Sequence, residues 1–184
     1  MSTPALNALL EEAADTLRQL ATFVATLPAA QYTAPHGADA RHAIGKHVRH
    51  ILDHYEALLA GRYDAQAVTI DYEHRRRDPD LEQHPDVALA HLDHLRARLT
   101  RLGQRDTATH RLQLAYQAGD QMSPLNTSVE RELAFLTSHA IHHMAIIALL
   151  ADTQGIEVAK TFGVHPSTQR HWQNSRPSHH EVTS

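Results

Sequence analysis

Four stretches of this 184-residue chain space their apolar residues three and four apart over several turns each. That spacing matches the 3.6-residue period of the α-helix, so each stretch must hide one face against a neighbour. In the first, Leu6, Leu10, Ala13, Leu17, Leu20, Val24 and Leu27 form the stripe. It is entered through Ser2-Thr3-Pro4, a capping residue followed by proline at the first helical position, and Pro28 stops it. The second runs from about Asp39 to Ala60 on Ile44, Val48, Ile51, Tyr55 and Leu58, with Gly61 as terminator. The third starts near Pro85-Asp86 and carries Ala88, Leu92, Leu95, Leu99 and Leu102 as far as Gly103. The fourth opens at Thr127-Ser128-Val129-Glu130, where a capping threonine and a glutamate three residues on make a capping box. It continues through Leu133, Leu136, Ala140, Ile147 and Leu150. Four such segments predict an all-α fold, a four-helix bundle.

The connectors add detail. Residues 62–84 are polar, and a link that long is either mobile or packed over something. A solvated loop is the favoured expectation, with Tyr72, His74 and Arg75 as candidates for lining an entrance. Leu112, Leu114 and Tyr116 alternate with polar residues, which predicts a short strand and a β-hairpin before the fourth helix. Thr161 to Trp172, containing Pro166-Ser167, predicts a short C-terminal helix. Residues 1–172 are expected to form one domain and residues 173–184 a disordered tail. No repeat of 20 to 50 residues is present.

A net charge of -4 provides no basic field for a nucleic-acid backbone, so no nucleic-acid partner is expected. The absence of cysteine removes disulfides, thiolate metal sites and cysteine nucleophiles. Met1 to Leu27 carries Glu11, Glu12 and Asp15 and no basic opening, unlike a signal peptide. No run is read as approaching the roughly 20 apolar residues of a membrane span. A cytoplasmic protein without a membrane partner is the expectation.

Histidine is the outlier: there are 17, as many as Lys and Arg together. Within Ser138 to His143, His139 and His143 stand at i and i+4 and project from one helical face, where two imidazoles can share an ion. His142 points away by about 60°. On the second helix His47, His50 and His54 fall within an arc of about 60° beside the apolar stripe, and each could supply a further ligand. His91 and His94 on the third read as surface or rim residues. Glu132 and Asp53 are candidate acceptors for a ligand's free N–H. No glutamate follows His139, so the His-Glu-x-x-His metalloprotease pattern is absent. Three imidazoles plus water would make an open site. Zinc, nickel, iron or cobalt suits such ligands, with zinc or nickel favoured.

The run Ile44-Gly45-Lys46-His47-Val48-Arg49-His50-Ile51-Leu52-Asp53, taken with Ser138 to Ile147, resembles the DinB-like superfamily of bacterial four-helix bundles, which includes YfiT-like hydrolases and thiol-dependent transferases. The resemblance implies a divalent metal site, with His50 following the Ile44-Gly45 entry and His139 and His143 as the later pair. His54 is the main rival to His50, and His47 a third possibility. Many members continue with Arg-Gly-Gln where this chain has Met144-Ala145-Ile146. The implied activity is a metal-dependent hydrolase or a transferase using a small-thiol cosubstrate, with no catalytic residue assigned. The alternatives are a non-catalytic metal-binding or stress-response bundle with a structural ion, and an apo bundle whose histidines are core filler. An unidentified small-molecule substrate and a homodimer complete the expectation.

Overall fold

The computed structural model describes residues 3–37, 42–61, 67–104 and 111–175. Thr3 caps helix α1 (Pro4–Val24): its hydroxyl accepts from the Leu6 backbone N–H at 3.1 Å, and Pro4 takes the first helical position. All seven residues of the predicted stripe are buried. Past Pro28, the short α2 (Ala29–Thr33) buries Tyr32, whose hydroxyl donates to the Leu81 carbonyl at 2.6 Å. Helix α3 (Ile44–Leu59) begins later than expected, because Ala43 is extended. Asp39 lies outside the described residues. Gly45 has a packing reason: a Cβ there would strike the Glu82 carbonyl oxygen and lie 2.7 Å from the Tyr32 ring. Only a glycine lets the short α4 (Asp80–Gln83) rest on the first turn of α3.

Helix α5 (Pro85–Gly103) has the predicted bounds and buries Ala88, Leu92, Leu95, Leu99 and Leu102. Helix α6 (Val129–Thr153) is capped one residue later than expected. Ser128 accepts from the Arg131 N–H at 3.2 Å, while Thr127 is held in a strand and donates its hydroxyl to Glu132 at 2.5 Å. Strand pairing thus overrides the predicted capping box. The C-terminal α7 (Pro166–Asn174) starts at Pro166, five residues after Thr161, and ends two residues past Trp172. Residues 176–184, most of the expected tail, lie outside the described residues.

The chain is mostly helical, with seven helices among the described residues rather than four. Helices α1 and α3 each pack on both α5 and α6, and one apolar core fills the space between them. The predicted hairpin is present as β2 (Arg111–Ala118) and β3 (Gln121–Thr127), turning at Gly119, whose φ is +61°. A third strand, β1 (Ala67–Asp71), lies parallel to β2, with Val68 opposite Leu112 and Ile70 opposite Leu114. The 62–84 connector therefore holds a strand and a helix rather than only solvated loop. Val68 and Ile70 are its buried alternation, too short to stand out beside the polar residues around it.

Helix α6 corrects the expectation about apolar runs, being long and apolar enough to cross a membrane by length and composition. It packs instead along α1 and α3, with Leu133, Leu136, Ala140 and Ile147 in the core. Of its most apolar stretch, 39% is buried in this way.

Candidate metal centre

The packing of α3 against α6 brings their histidines face to face. One ring nitrogen from each of His50, His139 and His143 falls within 4.8 Å of the other two. The Nε2 atoms of His50 and His139 are 3.0 Å apart. Two imidazole nitrogens on one tetrahedral ion, at about 2.05 Å each, would stand about 3.3 Å apart, so the side chains are already close to ligand spacing. All three rings are half-buried and keep an opening to solvent. His142, as helix geometry predicts, is exposed.

The other histidines of α3 are occupied differently. His54 is buried, and its Nδ1–H donates to the His50 carbonyl at 2.8 Å. Arg75 Nη1 lies 2.9 Å from that Nδ1 and 2.5 Å from Nε2, seated against the ring rather than in line with the Nε2 lone pair. The ring lies 4.4 Å from the centroids of both His50 and His139. His47 meets His143, Nδ1 to Nδ1 at 3.0 Å, and its own Nε2 is buried without a partner.

Neither carboxylate considered as an outer acceptor bonds a histidine among the described residues. Asp53 pairs with Arg49 at 3.1 Å, and Arg49 also reaches Glu82 at 2.9 Å. Glu132 is fully buried and accepts from Tyr72, Thr127 and Arg131. Its work is to pin the connector to α6 through the Tyr72 hydroxyl at 2.9 Å. The Tyr72 ring in turn stacks on His54, with centroids 5.4 Å apart. Tyr72 and Arg75 thus wall the site, against the favoured expectation of a solvated loop, whereas His74 turns outward to Asp71. Phe135 stacks on His139 at 5.5 Å and is a wall residue the sequence reading missed. Its position four residues before His139 was the available signal.

Electrostatics keep the rings neutral. Burial first, then the charges of His54, Arg75 and His139, push His50 down to about 3. Burial, then His50, His139 and His47, brings His143 down to about 3. His139 and His47 are also lowered, in each case chiefly by burial. At neutral pH each of these imidazoles is uncharged, with one N–H and one nitrogen lone pair, the state a metal requires. Geometry and protonation both fit a divalent cation.

A helical protein in which neutral imidazoles from two packed helices converge on one point is of the class that could hold a divalent ion between helices. Residues 9–147, from within α1 to beyond His143, match the model of the DinB superfamily, and the chain belongs to that superfamily. No curated protein and no solved structure matches it.

Proposed function

We propose that this is a metal-dependent enzyme of the DinB superfamily, a hydrolase or a small-thiol transferase, whose divalent ion is held by His50, His139 and His143. The observation that carries the reading is the convergence of one nitrogen from each ring within 4.8 Å. We take α1, α3, α5 and α6 as the bundle that frames the site, since each packs on two of the others.

When bound, the ion supplies Lewis acidity, polarising a carbonyl, an attacking water or a thiol. The chain's own residues do the rest. For His143 to offer Nε2, its Nδ1–H must donate to His47 Nδ1, so His47 would set the tautomer and orientation of a ligand. His54, held by the His50 carbonyl and Arg75, fills the space beside His50 and His139 and fixes their rings. Phe135 and Tyr72 cover the flank and restrict water on that side.

Elemental analysis of protein purified without an affinity tag tests the reading. About one equivalent of zinc, nickel, iron or cobalt is expected. Absence of metal, together with no uptake on adding these ions, would sink it. Hydrolysis of esters, or transfer with a small thiol, by the loaded protein then separates an enzyme from a bundle with a structural ion. In the structural case, removing the metal would lower the melting temperature sharply.

A further inference from the structure

We infer that a second pocket, away from the clustered histidines, binds a small primary amine built on a single aromatic ring. It lies between the C-terminal end of α1 and residues 157–162, the segment that follows α6. The cavity measures about 270 Å³, and none of the clustered histidines lines it. The inference stands on this cavity and is independent of the metal reading.

The walls are fixed in place. Phe23 of α1 and Phe162 of the segment are both buried, with ring centroids 4.9 Å apart, and Val158 and Ala159 complete an apolar lining. The segment is tied at both ends. The Ile156 N–H closes on the Ala151 carbonyl at 2.9 Å as α6 stops, and the Gln169 side chain of α7 donates to the Val164 carbonyl at 2.8 Å. Between these ties Gly163, at φ +68°, lies so close to α6 that a Cβ would come within 2.8 Å of the Ala145 nitrogen. A preformed wall spares a ligand the cost of ordering it. An apolar protein cavity of about 150 Å³ takes up benzene, so this one has room for a ring and a short arm.

The polar groups choose the charge of the ligand. Thr22 donates its hydroxyl to the Arg18 carbonyl at 3.0 Å, and Thr26 donates to the Phe23 carbonyl at 2.7 Å. Both hydroxyls have spent their hydrogens and present only lone pairs to a ligand. Of the two charged residues on the lining, Arg18 is paired with Asp15 at 2.8 Å. Glu157 has no ion pair or hydrogen bond among the described residues. An aromatic floor beside an unpaired carboxylate and two acceptor oxygens suits a cation with an aromatic body. A ligand bearing a carboxylate would meet like charge there.

Phenethylamine, phenylpropionate and phenylethanol share the ring and differ in charge, and the test titrates each into the isotope-labelled full chain as purified, followed by NMR. Phenethylamine is expected to shift the backbone amides of residues 22–26 and 157–162. It should bind more tightly than the alcohol and about tenfold or more above the carboxylate. Thr22→Trp, at an exposed helical position on the lining, should fill the cavity and abolish binding with the melting temperature close to wild type. Glu157→Gln should weaken the amine about threefold or more and leave the alcohol unchanged. Failure of phenethylamine to bind at millimolar concentration would overturn the inference, as would shifts confined to the histidine cluster. Equal affinity for the amine and the carboxylate, or unaltered binding to Thr22→Trp, would overturn it too.

Discussion

The histidines of α6 and those of α5 stand about one turn apart on long amphipathic helices, yet they have different surroundings. His139 and His143 meet His50 and His47 across the contact with α3, and burial holds them neutral. His91 and His94 lie with ring centroids 6.3 Å apart at the edge of α5. His91 approaches Glu56 at 3.5 Å, and His94 is exposed. Spacing alone therefore does not gather a cluster of neutral imidazoles. What distinguishes α6 is a facing helix that supplies further imidazoles and removes enough water to keep the lone pairs free.

The contrast breaks most clearly on metal binding. His139→Ala should abolish stoichiometric zinc or nickel binding, measured by elemental analysis after dialysis, while His94→Ala should leave it intact. Loss in both variants, or in neither, would erase the distinction between the clusters. Within α3 the same measurement should separate two neighbours. His50→Ala should lose the metal and His54→Ala retain it, because the three ring nitrogens that gather within 4.8 Å come from His50, His139 and His143. The reverse result would make His54 the ligand.

His47→Ala should weaken metal affinity by about 10- to 100-fold in competition with a chelator, the usual range for a residue that orients a ligand. Unchanged affinity would show that its contact with His143 does not matter to the site. Gly45→Ala probes the framework instead, forcing a methyl group against the Glu82 carbonyl and Tyr32. It should cost about 1–3 kcal/mol in chemical denaturation, and a neutral result would mean that α4 moves aside freely.

The smallest effect is expected on the α5 side. Hydrogen bonds from His91 and then Arg98, against the opposing effect of burial, hold the Glu56 carboxyl down to about 2. A carboxyl lowered on folding stabilises the protein fully above its ordinary pKa near 4.5, and that contribution fades as pH falls toward 2. Glu56→Gln should therefore melt slightly below wild type at pH 7, with the gap closing as pH falls from about 4.5. The Glu56 side chain is about one third exposed, so water limits the difference. A gap that widens on acidification would reverse the assignment.

Much of this was legible in the residues themselves. The stripes of α1 and α5 are buried throughout, the N-terminal cap falls on Thr3, and the exclusion of His142 follows from helix geometry. The glycine after Ile44 was legible only as a motif. Its reason, the carbonyl of Glu82 lying on α3, belongs to a helix 37 positions along the chain. Thr127 was misread as a cap because strand pairing to Leu112 decides its backbone. Tyr72 and Arg75 sit in a stretch whose composition resembles a solvated loop, and only Glu132 and His54, on two other elements, reveal that it is pinned over the site.

The sequence by itself determined that long helices would form and which face of each would be buried, because the 3.6-residue period is a local property of the chain. It also brought His139 and His143 to one face of one helix. The gathering of one nitrogen each from His50, His139 and His143 within 4.8 Å, the packing of His54 against Arg75 and the neutrality of the cluster were decided by tertiary structure. Those outcomes depend on how α3 turns against α6 and on how much water that contact excludes, and neither is encoded by the spacing of residues on a single helix.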